Sequence, residues 1–305
     1  MFGFINLNKP DGFTSHDCVA KLRKLLDTKK VGHGGTLDPS ATGVLPIAVG
    51  KATRLLQFLP EPKAYRARIR LGVVTTTDDL EGEIIRTADT VDIEPPQITN
   101  ALNNFVGTIE QVPPIYSAIK KNGKKLYDLA RKGEEVEIEP RTVTISKIEL
   151  IDIQRGEFYE LEVDVECSPG TYIRAIARDL GETLGVGGTL ANLIRTQSCG
   201  MHLVDSITFE EIESHLSEQT FTPIEPGLVL AHLGRVTLTP NSARLWGQGQ
   251  LIDLSEAIAL ERLDSIKIGD YIVAYAEDET FLGISILFQR NDIMKIKPKI
   301  VCVAR

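Results

Sequence analysis

The chain has 305 residues, 42% of them hydrophobic and 25% charged, with a formal net charge of -8. That length supports a large core, as one big domain with a smaller one, and the composition is that of a soluble globular protein. No apolar run reaches membrane-spanning length and no signal-peptide pattern opens the sequence; the acidic balance argues mildly against nucleic acid, although phosphate binding depends on a local patch rather than the total. The four cysteines (Cys18, Cys167, Cys199, Cys302) are scattered without a C-x-x-C pair. They read as reduced thiols of a cytoplasmic protein, with no zinc site.

Phe2 to Leu7 alternates loosely and ends in Asn8-Lys9-Pro10-Asp11-Gly12, a strand followed by a turn. Thr14 with Asp17 three residues on predicts a capping box with Asp in place of Glu. Val19, Leu22, Leu25 and Leu26 mark the buried face of the helix that follows. Lys21, Arg23, Lys24, Lys29 and Lys30 make its other side and its exit basic.

Next comes Gly32-His33-Gly34-Gly35-Thr36-Leu37-Asp38-Pro39, a loop too rich in glycine for a helix, leading to an apolar run, Val44 to Val49, that reads as a short buried strand. The proline after Asp38 disfavours the α region and holds this carboxylate on extended or turn backbone. The glycines let another backbone or a ligand come close. Taken alone, Asp-Pro flanked by glycine is also ordinary surface-turn chemistry.

Residues 63 to 72 alternate strictly and predict a strand, with Arg66, Arg68 and Arg70 on one face and Tyr65, Ala67, Ile69 and Leu71 on the other. Tyr65 therefore points inward, which by itself suits a core tyrosine. Thr75 to Gly82 is a polar turn closing a hairpin. A helix is expected over Ile98 to Phe105, then a turn at Gly107. Val112 to Tyr127 opens the most basic stretch: six Lys or Arg and one acid lie between Ile119 and Gly133, including Lys120, Lys124 and Lys125, with Tyr127 among them. Basic groups interleaved with aromatics suit an RNA backbone and stacked bases, though a charge run alone is usually a solvated face.

Phe158 to Cys167 alternates as a half-buried strand. Ser168-Pro169-Gly170 then leads to Thr171, a candidate N-cap, and to a helix whose apolar face is Ile173, Ile176, Ala177, Leu180 and Leu184. Arg174 sits in the first turn, where the helix dipole disfavours a cation, so an anion should lie beside it. Thr208 with Glu211 is a second capping box. His215 to Gly227 reads as a connection, and from Val236 onward short strands and turns alternate, among them Tyr271 to Ala276 and Phe281 to Phe288. No internal repeat and no low-complexity tract interrupts the chain.

The run GHGGTLDPSATGVLPIAVGKATR resembles the catalytic motif of the TruB family of pseudouridine synthases, in which the Asp of the LDP segment is catalytic. The likeness extends through the LNKPxG turn and CSPGTYIRAIARDLG, and covers about residues 3 to 200. It implies an α+β fold: a mixed, mostly antiparallel sheet with flanking helices over 1–230, an RNA-binding insertion at about 112–140, and a β-rich, PUA-like RNA-binding domain over 231–305. It also implies Asp38 as the catalytic group, Arg174 as its partner and Tyr65 as the ring that stacks on the target base. Leu193 is implied as an apolar wall and His33 as an RNA contact. Tyr172 is implied at the substrate, Lys9 as support near the site, and Lys120, Lys124 and Lys125 as RNA contacts.

A carboxylate suits this chemistry, because pseudouridine formation breaks uracil N1 from ribose C1′, turns the base and rejoins it through C5. A base inside a folded RNA loop must first be flipped into the pocket. No metal-ligand cluster, P-loop or dinucleotide fingerprint is present, so neither metal nor cofactor is expected. The resemblance implies a monomer acting on uridine 55 of the tRNA T-loop, with no membrane and no obligate protein partner. The alternatives are an RNA-guided synthase subunit, against which the early first motif and short C-terminal unit speak, and a tRNA-folding chaperone whose catalysis is secondary.

Overall fold

The computed structural model describes residues 1–88, 92–117, 119–121, 124–125, 138–262 and 266–303. The first sheet takes β1 (Gly3–Lys9), β2 (Val31–His33), β3 (Thr42–Val49) and β4 (Lys63–Leu71) from the N-terminal quarter of the chain. A hairpin, β5 (Val73–Thr75) with β6 (Ile84–Thr87), stands apart from it, as the polar turn at Thr75 to Gly82 requires. The sheet continues with β7 (Gly107–Gln111), passes a small hairpin of β8 (Lys120–Lys121) and β9 (Lys124–Lys125), and gains β10 (Arg141–Arg155), β11 (Tyr159–Cys167), β12 (Gly188–Ser198) and β13 (Met201–His202). Among the described residues its order is β1-β3-β12-β4-β11-β10-β7, with β2 added on β3 and β13 on β12. All pairings are antiparallel except β12 with β3.

The alternation of β4 has the predicted consequence. Tyr65, Ala67, Ile69 and Leu71 are buried under α2 (Pro95–Asn103) and α3 (Ile173–Thr183), with Ile98, Leu102, Ile176 and Leu180 in the same core. On the opposite face Arg66, Arg68 and Arg70 stand opposite Asp164, Glu162 and Glu160 of β11, at 2.8, 3.6 and 2.8 Å. This arginine row is thus neutralised by a carboxylate row, a cross-strand arrangement that favours the register.

The apolar run in β3 is continuous because both of its faces are covered. Leu45, Ile47 and Val49 pack under α1 (Ser15–Leu25), while Val44 and Ala48 face the second sheet. The Thr14–Asp17 capping box is present. Gly43, at the start of β3, has φ +95, and a Cβ there would stand 2.4 Å from the carbonyl oxygen of Arg195 on β12. Gly43→Ala is expected to lower the unfolding free energy by about 2–4 kcal/mol, from left-handed backbone strain plus the clash, read out by chemical denaturation.

Two expectations are corrected. Gly107 begins an edge strand instead of a turn, because the chain from there pairs with β10 over Gly107–Gln111. The N-cap of α3 is Tyr172, not Thr171, whose hydroxyl donates to the Ser168 carbonyl. The Gln111 side chain serves the helix start: its Oε1 accepts from Tyr172 N–H at 2.8 Å, and its Nε2 donates to the Tyr172 carbonyl at 3.1 Å.

The second sheet comprises β14 (Gly234–Leu238), β15 (Ile252–Asp253), β16 (Ala257–Glu261), β17 (Tyr271–Ala276), β18 (Phe281–Arg290) and β19 (Ile293–Val301), ordered β15-β19-β18-β17-β14-β16. Its inner face has its own core around Trp246, whose Nε1 donates to Ser285 Oγ at 2.8 Å. Its other face shares a core with the first unit, where Phe4, Val44, Ala48, Phe58 and Leu59 meet Val273, Phe281 and Ile300. Lys51 Nζ donates to the carbonyls of Cys302 and Val303, each at 2.9 Å, and Arg54 to that of Val301 at 3.2 Å. The C-terminal sheet is therefore packed against the turn that directly follows β3.

Candidate active site

The loop between β2 and β3 carries Asp38, and buried donors on both sides of that residue fix its backbone. Arg195, wholly buried, donates from Nε to the Val44 carbonyl (2.7 Å), from Nη1 to Thr36 (3.2 Å) and from Nη2 to Gly35 (3.1 Å). Ser15 Oγ, at the start of α1, accepts from Leu37 N–H at 2.9 Å. Lys9 Nζ donates to the carbonyls of Pro10, Phe13 and Pro39. Side-chain hydrogen bonds thus hold the loop at residues 35, 36, 37 and 39, and Asp38 projects between them with 43% of its side chain exposed.

Arg174 meets that carboxylate from α3. Its Nη2 lies 3.0 Å from Asp38 Oδ2 and donates to the Tyr116 carbonyl at 3.1 Å; its Nη1 lies 3.4 Å from Asp79 Oδ2 and donates to the Thr77 carbonyl at 3.2 Å. The guanidinium is 8% exposed, and Asp79, 12% exposed, also accepts from Thr77 Oγ1 and Glu81 N–H. The cation expected to need an anion in the first turn of α3 has two. A planar fork fits this double duty, with one nitrogen on each acid.

Asp38, Arg174, Tyr65, Tyr172 and Leu193 line one cavity of about 400 Å³, within the range of small-molecule sites. They come from the glycine loop, α3, β4, the turn before α3, and β12. The pairing of β12 with β4 sets Leu193 opposite Ala67 and Arg195 opposite Tyr65. Burial pushes the phenols of Tyr65 and Tyr172 up, so both rings stay neutral at physiological pH.

His33 lies beside this cavity on β2. Its Nδ1 accepts from Gly35 N–H at 3.4 Å, its ring is edge-on to His16 at 5.5 Å, and burial, then His16, push its pKa down. His16, not His33, lines the cavity. Lys9, implied as support near the site, is fully buried and its ammonium is taken up by three carbonyls, so what it holds is the loop backbone. Lys120, Lys124 and Lys125 lie on the β8–β9 hairpin, where Lys120 pairs with Lys125; their side chains, like Tyr127, lie outside the described residues. Among the described residues no group of three His, Cys, Asp or Glu is poised to hold a metal, and no helix is long and apolar enough to cross a membrane.

Asp79, Lys63, Ser117 and Arg195 carry no site signal in the sequence reading, yet they lie in or beside the cavity. Arg195 follows Leu193 by two residues and so was within reach. Asp79 belongs to a polar turn that only the packing of β5 against β12 brings to Arg174, with Leu190 N–H donating to the Asp78 carbonyl.

The solved structures similar to this chain include an H/ACA RNP bound to a substrate RNA containing 2′-deoxyuridine, with 26% identity and a TM-score of 0.74 over 99% of this chain and 86% of that one. Another is a Cbf5-Nop10-Gar1 complex, with 27% identity and a TM-score of 0.71 over 100% and 84%. The model of the TruB family pseudouridylate synthase N-terminal domain matches residues 23–173. A tRNA pseudouridine synthase B of Gloeothece citriformis is 55% identical over 93% of this chain and 90% of that protein, and one of Microcystis aeruginosa is 50% identical over 99% of each. The chain belongs to the TruB family of pseudouridylate synthases.

Proposed function

We propose that this chain isomerises uridine 55 of the tRNA T-loop to pseudouridine, as an enzyme that needs no guide RNA. The observation that carries this reading is the convergence of Asp38, Arg174, Tyr65, Tyr172 and Leu193 on one cavity. In it the flipped uracil stacks on Tyr65, and Leu193 excludes water while the base is detached. The Asp38 carboxylate, oriented by Arg174, faces the ribose as positive charge develops there. The N1–C1′ bond breaks, the base turns, and C5 joins C1′; the proton leaving C5 is balanced by one gained at N1, so the product is an isomer. His33 contacts the RNA beside the cavity, and Lys120, Lys124 and Lys125 contact its backbone.

Residues 1–230, with an insertion at about 112–140, form the catalytic domain in this reading, and 231–305 a PUA-like RNA-binding domain acting in a monomeric, cytoplasmic protein. The choice of tRNA is supported by the names of relatives that are half identical along nearly the whole chain. The experiment is pseudouridine mapping of an unmodified tRNA transcript after incubation with the purified chain. Conversion at position 55 alone is expected. Activity only when a guide RNA is added would replace this reading with the guided one.

A further inference from the structure

Charged side chains are seldom buried without a charged partner, and beside the glycine loop a fully buried arginine and a half-buried lysine lie close together without one. Arg195 is 0% exposed and each of its three nitrogens donates to a carbonyl. Lys63, at the start of β4, lines the cavity beside Tyr65, and among the described residues nothing accepts a hydrogen bond from its ammonium. Its Nζ lies 3.5 Å, and Arg195 Nη1 3.6 Å, from the point where a side chain on Gly35 would begin. The two nitrogens are thus within about 7 Å of each other. Among the described residues neither has a carboxylate within 4.0 Å. Burial, and after it Arg195, push the Lys63 pKa down, as two like charges held together out of water should. Cys199, Cys167 and, last, the exposed Glu61 offset this in part.

The missing counter-charge has a definite place. Carbonyls take three of the five Arg195 N–H groups, so its part is chiefly its field; Lys63 has three donors and faces the cavity. An anion entering beside the uracil would meet both. We propose that Lys63, backed by the charge of Arg195, seats one phosphodiester group of the nucleotide whose base enters the cavity. The inference depends on the chain acting on RNA, as proposed above. It accounts for how a chain of net charge -8 holds a polyanion at its reaction centre: the positive charge is local, and among the described residues no carboxylate pairs with it. It also makes Lys63 a positioning residue, fixing the ribose while Asp38 reacts.

The test uses the full chain and a T-stem-loop RNA made in three forms: all-phosphate, or with a neutral methylphosphonate at the linkage 5′ or 3′ to the target uridine. Affinity and its salt dependence are measured for wild type, Lys63→Met and Lys63→Arg. Lys63→Met is expected to bind the all-phosphate RNA about tenfold more weakly, with a salt slope smaller by about 0.7, while melting no lower than wild type because it relieves a like-charge contact. One of the two neutral linkages should weaken wild type about as much, yet change Lys63→Met less than about twofold, with Lys63→Arg behaving like wild type. Losses from the lysine and from both linkages that simply add, or an unchanged affinity of Lys63→Met, overturn the proposal and leave the enzyme reading intact. A wild-type chain that binds none of the three RNAs overturns both.

Discussion

Asp38→Asn is expected to abolish pseudouridine formation, with a loss of about 10⁴-fold or more in single-turnover rate, while tRNA affinity and melting temperature stay close to wild type. The separation follows from how the loop is built. Its backbone is held by Arg195, Ser15 and Lys9 through carbonyls and one N–H, none of which involves the Asp38 carboxylate. The carboxylate's own ion pair with Arg174 is open to the cavity on the aspartate side. A pair whose acid is solvent-facing, and whose arginine keeps other partners, is expected to contribute about 1 kcal/mol to stability. Arg174 would keep Asp79 and two carbonyls after the exchange, so no buried charge is stranded. Single-turnover rate, equilibrium binding of a tRNA transcript and thermal unfolding on one preparation decide the matter. Near-normal turnover would remove Asp38 from the mechanism.

The parts of this site that were legible in the sequence are those whose signal is local. The alternation of residues 63 to 72 placed Tyr65 inward and three arginines outward, because strand periodicity alone fixes the face. The awkward position of Arg174 at the start of a helix pointed to an anion, and two are there. Which anions was not legible from composition or spacing. Asp38 came from the family motif, and Asp79 is 95 residues upstream in a turn whose only local signature is polarity. Nothing local shows how Lys9 gives its support: only the folded loop brings three carbonyls onto its ammonium. Alternation likewise puts the arginines of β4 on one face without showing that β11 sets an acid opposite each of them. Periodicity reports the face a side chain takes; the partner it meets depends on register between distant strands.

The second large effect should come from Arg174→Met, and here stability and activity are expected to fall together. The guanidinium is buried and bridges two acids of different exposure. Its removal leaves Asp38 free to face water but strands Asp79 in the interior with, among the described residues, Thr77 Oγ1 and the Glu81 N–H as its donors. Breaking a buried pair by deleting one partner typically costs about 3–5 kcal/mol, chiefly because the remaining charge is uncompensated. The double variant Arg174→Met with Asp79→Asn should therefore be more stable than Arg174→Met alone by at least about 1 kcal/mol, since the amide keeps an acceptor for both donors without the charge. It should not recover turnover, because Asp38 still lacks the group that orients it. Asp79→Asn by itself leaves Arg174 with Asp38 and two carbonyls, so its turnover should drop far less than that of either arginine variant. Chemical denaturation of the four proteins gives the coupling energy directly, and strictly additive losses would mean that Asp79 does not hold Arg174 in place.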